Sequence, residues 1–140
     1  SYKSLDDFKF YMNDVGLCGA SQKIYFEDIQ NDNPLLSNFK GGLVENYVFN
    51  QLIINDLDLY YWKSNNQAEI DFISRIGEYI IPIEVKSSDN TRSRSLSIYI
   101  NKFNPKYSIR LSLKNFGFEN GIKSVPLYAA FCIKKNNKLY

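Results

Sequence analysis

Three charged residues sit inside two segments that otherwise read as apolar strands: Asp71 in "AEIDFIS" (68–74), and Glu84 and Lys86 in "EYIIPIEVK" (78–86). Alternate side chains of a strand share a face. Glu84 and Lys86 therefore lie together, opposite Tyr79, Ile81, Ile83 and Val85, while Asp71 lies with Glu69 and Ile73. A hairpin turning at Ile76-Gly77 puts Asp71 opposite Pro82 and diagonal to Glu84. Diagonal neighbours on one face are roughly 7–8 Å apart at Cα, so two carboxylates there can reach one divalent cation between them. A slip of one residue in register removes this arrangement. The competing reading is a wet sheet face, on which a Glu-x-Lys pair is ordinary. Against it stand Ile73, Ile80 and Pro82, which leave that face less than plainly polar. Pro82 also removes a backbone donor from a strand expected to be central, which points to a bulge near the site.

These charges need elements to hold them. Residues 42–55, "GLVENYVFNQLIIN", read as a helix: Val44, Val48 and Leu52 recur at four-residue steps, and Leu43, Tyr47 and Ile54 widen the stripe. Before it, 30–41 is rich in turn formers and reads as a loop. "DLYYWK" (58–63), 68–74 and 78–86 read as three strands, joined by the "SNNQ" turn and the turn at Gly77. Residues 92–103, "RSRSLSIYINKF", fit a strand through Leu96, Ile98 and Ile100, or a helix through Leu96, Tyr99, Ile100 and Phe103. "KYSIRLSL" (106–113) is strand-like. If it runs parallel to 78–86, the segment between them is a crossover, and helix is favoured for 92–103. "VPLYAAFCI" (125–133) reads as a further strand, "FKFYMNDVGL" (8–17) as a strand or helix end, and the polar tail from Lys134 as fraying.

Composition bounds the chemistry. The 140 residues suit one domain, and 44% apolar content with 11 Tyr and 10 Phe suits a sheet-containing core. A net charge of +2 is weaker than a dedicated nucleic-acid binder shows. The chain has no histidine, which excludes Ser-His-Asp and Cys-His catalysis and histidine-ligated metals within it. Its two cysteines, Cys18 and Cys132, form no Cys-x-x-Cys pair and read as buried thiols of a cytoplasmic protein. It contains no Gly-x-x-x-x-Gly-Lys phosphate loop. No apolar run approaches the roughly 20 residues of a membrane span, so no membrane partner is expected. The start at Ser1 without methionine suggests a domain excised from a longer protein, or a processed start.

Asp71, a spacer, then Glu84-Val85-Lys86 on the next strand resembles the PD-(D/E)XK nuclease superfamily. The surroundings are more specific. "AEIDFI" and "IPIEVKSS", with "GGLVENYVFNQL" upstream and "FYMNDVGL" near the start, resemble the C-terminal domain of unknown function of prokaryotic AAA-type ATPases. The resemblance runs from about residue 8 to 131. It implies an α/β restriction-endonuclease-like core, a mixed central sheet flanked by helices, with the ATPase core in the same full-length chain ahead of Ser1. It implies Asp71 and Glu84 as ligands of Mg²⁺ or Mn²⁺, and Lys86 positioning water or stabilising charge on a phosphate. Glu45 matches the extra acidic residue that many superfamily members place beside the metal. A first-turn Glu complementing the helix dipole is the other reading of Glu45. Family members often have Gly where Gln67 stands, which bears on turn chemistry.

The expectation is a metal-dependent nuclease or nuclease-derived DNA-binding module. Against it stand a catalytically silent module binding nucleic acid or protein, and a structural α/β domain with a salt-bridged wet face. Lys86, Arg92, Arg94, Lys102 and Lys106 cluster in sequence around the site and predict salt-sensitive nucleic-acid binding, or else a solvated helix face.

Overall fold

The computed structural model describes residues 8–23, 25, 27, 37–64, 68–88 and 93–136. Arg92, most of the "SNNQ" turn, residues 30–36 of the expected loop and the last four residues lie outside these.

Strands β1 (Tyr60–Ser64), β2 (Ala68–Ile76), β3 (Tyr79–Val85), β4 (Ser108–Ser112), β5 (Gly117–Glu119) and β6 (Ile122–Pro126) form one sheet in the order β1-β2-β3-β4-β6-β5. The first three are antiparallel neighbours, β3-β4-β6 are parallel, and β5 closes the far edge antiparallel to β6. Helices α1 (Val15–Ser21), α2 (Ser37–Ile54) and α3 (Arg94–Phe103) and a 3-10 helix (Leu127–Cys132) complete the chain. The architecture is α/β, a mixed sheet flanked by helices.

Two apolar clusters lie on opposite faces. Val48 and Leu52 of α2 pack with Phe72, Ile81, Ile83, Ile109 and Leu111 of the sheet and with the 3-10 helix. Leu96 and Tyr99 of α3 pack with Ile70, Trp62 and Ile73. Each such side chain, fully buried, contributes about 1.5–3 kcal/mol. Residues 94–103 form a helix because β3 and β4 are parallel and their connection must cross a sheet face. Ser93 caps it, its Oγ accepting from Leu96 N, and Asn104 ends it in a left-handed conformation.

Several expectations shift. Helix α2 begins at Ser37, so 37–41 are not loop. Gly41 falls in the expected loop, but a glycine costs only about 1 kcal/mol in a helix, and the burial of Val48 and Leu52 outweighs that. Ile54 leaves the stripe and is 76% exposed. Residues 127–132 are 3-10 helix rather than strand; β6 ends at Pro126, which has no N–H of its own to give the ladder. Lys135 does not fray: its carbonyl accepts from Gly77 N at 2.8 Å.

Candidate functional site

The β2–β3 hairpin turns at Gly77-Glu78, with Ile76 paired to Tyr79, one residue later than the sequence suggests. Gly77 has φ +61° at the first central position of this two-residue loop, where a glycine costs no steric strain. Pro82 therefore faces Ile73, not Asp71, and the ladder runs only to Phe72–Ile83. Asp71 and Glu84 are the first pair beyond its end, level with one another rather than diagonal. There the Asp71 carboxylate takes over from the ladder: Val85 N donates to Asp71 Oδ2 at 2.7 Å.

A bulge fixes the aim of Asp71. Tyr60 pairs with Ile73 and Trp62 with Ile70, so a step of two residues on β1 matches three on β2. The extra residue resets the alternation. Ile70 and Ile73 both pack with α3, while Phe72 and Ile76 pack with α2. Strict alternation is thus broken at Asp71, between Ile70 and Phe72; bulges re-aim side chains in this way. The bulge is not at Pro82. That residue lies on β3 just before its pairing with β4 begins at Ile83, where β3 has one neighbouring strand and a missing donor is tolerated.

Glu84 points to the α3 side and is 3% exposed. Its Oε1 accepts from Ser93 Oγ at 2.8 Å and pairs with Lys86 Nζ at 2.7 Å. Its Oε2 is buried without a partner. Arg110 lies beside Glu84 in the parallel β3–β4 register, and its Nε is likewise buried and unpartnered. Burial, reinforced by the charge of Glu84, pushes the Asp71 carboxyl up to about 7 against the opposing hydrogen bond from Val85.

Glu45, on α2, approaches from the other side. It is held by Lys9 Nζ at 3.0 Å and by the Tyr11 hydroxyl. Lys9 also pairs with Glu69. Among the described residues no three acidic side chains form a metal-binding group. Asp71 and Glu84 are brought together; Glu45 is held by Lys9 and Tyr11 of the N-terminal segment and lies close enough for its charge to act on Asp71. Arg94, Lys102 and Lys106 are exposed, and Lys102 Nζ lies 5.7 Å from the centre of the Trp62 ring.

The sequence reading missed Lys9, Tyr11, Ser93 and Arg110. Two signals were available. "FKFYM" (8–12) alternates with period two, placing Lys9 and Tyr11 on one side, and Ser93 stands three residues before Leu96, as an N-cap does.

The fold and site define an α/β domain with a carboxylate pair, Asp71 and the buried Glu84, just beyond the end of the β2–β3 ladder. Residues 40–130 match the family described as Domain of unknown function (DUF4143), and the chain belongs to that family. No curated protein and no solved structure matches the chain. No helix among the described residues is long and apolar enough to cross a membrane.

Proposed function

We propose that this domain is a metal-dependent, restriction-endonuclease-like module of the PD-(D/E)XK type, acting on phosphodiesters, within a larger cytoplasmic AAA-type ATPase chain. The observation that carries the reading is the Asp71–Glu84 pair beyond the end of the β2–β3 ladder, with Glu84 Oε2 buried and unpartnered. A buried orphan oxygen is costly unless something satisfies it, and two neighbouring carboxylates resist joint ionisation unless a cation lies near.

The donor set fits Mg²⁺ or Mn²⁺, hard cations that accept a few carboxylates and keep several waters. Asp71 and Glu84 would hold the ion, and Glu45 would join them if released from Lys9. When bound, the metal supplies polarisation of a phosphoryl oxygen and a lowered pKa for water. The chain's own residues do the rest. Val85 N–H fixes the Asp71 carboxylate, and Ser93 fixes Glu84. Lys86 brings positive charge beside the pair, where negative charge develops in phosphoryl chemistry. Arg94, Lys102 and Lys106 would meet a DNA backbone through phosphate contacts, with affinity falling as salt rises.

Calorimetric titration of Mn²⁺ into the wild type, Asp71→Asn and Glu84→Gln tests the reading. Binding in the wild type and its loss in both variants are expected. Negligible heats in all three would overturn the metal site. One observation favours a second reading, a catalytically silent interaction module: Glu45 is committed to Lys9 and Tyr11. Salt-sensitive DNA binding without Mn²⁺ binding or cleavage is its expected signature.

A further inference from the structure

Residues 8–14 lie as a strap against α2. Asn46, buried on α2, grips its backbone in both directions: Met12 N donates to Asn46 Oδ1 at 2.7 Å, and Asn46 Nδ2 donates to Met12 O at 2.8 Å. Asn50 Nδ2 adds a bond to Asn13 O. The Tyr11 ring stacks on Phe49 at 4.2 Å. Period-two alternation then sorts the side chains. Lys9 and Tyr11 turn inward to Glu45, while Phe8 and Phe10 turn outward, Phe10 being 88% exposed.

The inward side meets acid. Lys9 Nζ lies between Glu45 on α2 and Glu69 on β2, two residues before Asp71. Burial favours the neutral amine, but the bond to Glu69 and the charge of Glu45 outweigh it, with Asp71 contributing, and Lys9 stays above its ordinary pKa. Beside this contact lies a cavity of about 600 Å³, lined by Lys9, Phe10, Met12, Leu43, Glu45 and Glu69 among others. The ammonium thus has room to withdraw without disturbing the core.

Resting on the metal-site reading above, we propose that the strap is an autoinhibitory device. Lys9 acts as a tethered cation that, with Tyr11, withholds Glu45 from the Asp71–Glu84 pair. A divalent ion entering the site competes with Lys9 for the same carboxylates, so closure of the strap lowers the apparent metal affinity by the fraction of open molecules.

The test is Mn²⁺ titration of the wild type, Lys9→Met, Lys9→Arg and Lys9→Met/Glu45→Gln, with amide hydrogen exchange at Met12 as a second readout. Methionine keeps the apolar stem of Lys9 and removes its charge. Lys9→Met is expected to bind Mn²⁺ about tenfold or more tightly than wild type. Lys9→Arg should stay near wild type, and the added Glu45→Gln should cancel the gain. In the wild type, saturating Mn²⁺ should speed exchange at the Met12 amide, because the Asn46 clasp loosens as the strap lifts. Equal Mn²⁺ affinity in wild type and Lys9→Met, with Met12 exchange unmoved, would overturn the strap while leaving the metal site standing. No binding in any of the four would overturn both.

Discussion

The two carboxylate centres that flank Asp71, one buried and one open, are built from the same chemistry under opposite conditions. Glu84 is almost fully buried, is tied to one flexible cation and one hydroxyl, and keeps an oxygen without a partner. Glu45 and Glu69 are part-exposed, their side chains 23% and 41% accessible, and both pair with the single ammonium of Lys9 from a segment remote in sequence. In water an ion pair is weak and replaceable; under the sheet a lost partner leaves a charge that nothing solvates. The buried centre therefore governs stability, and the open one can exchange its cation at modest cost.

The sharpest way to break this contrast is Lys86→Met. It strands the buried Glu84 charge and should destabilise the fold by about 3 kcal/mol, read as a lower urea midpoint. Adding Glu84→Gln should recover most of that loss, since the glutamine carries no charge to strand. Equal losses in Lys86→Met and the double variant would show that the pair contributes through packing alone.

Asp71 gives a smaller effect of opposite sign. Its folded pKa, about 7, lies above the ordinary carboxylate value. The native state then holds more protons than the unfolded chain between about pH 4 and pH 7. Stability from this group is fully present below the unfolded pKa and is lost as pH rises through about 7. Asp71→Asn keeps an acceptor for Val85 N–H and removes the charge. It should flatten that decline and raise stability by about 1 kcal/mol at pH 8. A midpoint that rises with pH across this window in the wild type would contradict the placement of Asp71 beside Glu84.

At the open centre, Lys9→Met should cost about 0.5–1 kcal/mol, because water replaces the lost ammonium. The Lys135–Asp58 pair, exposed on the surface at 2.9 Å, is the reference for a pair without burial. Lys135→Ala should leave the thermal midpoint unchanged within error, and a loss as large as that of Lys9→Met would erase the distinction.

Much of this was legible in the chain. Local alternation and helical periodicity marked α2, β2, β3 and β4, and "IPIEVK" placed Glu84 and Lys86 on one face, where they form their 2.7 Å pair. The presence of Asp71 and Glu84 in adjacent strands, with Lys86 directly after the second, needed nothing beyond sequence. The register, however, depended on which two residues filled the turn. Gly77 is compatible with either placement, and the bond from its N–H to the Lys135 carbonyl comes from the far end of the chain.

The sequence by itself determined which strands would carry the charges, since burial pattern and side-chain period act over neighbouring residues. Only the tertiary structure decided how those charges are partnered. The bulge opposite Tyr60–Trp62 broke strict alternation at Asp71, and the α3 cap at Ser93 closed over Glu84. The strap carried Lys9 to Glu45 across thirty-six positions of chain. Such contacts are set by packing between distant segments, and a carboxylate's neighbours fix whether it is a liability, a ligand or a lock.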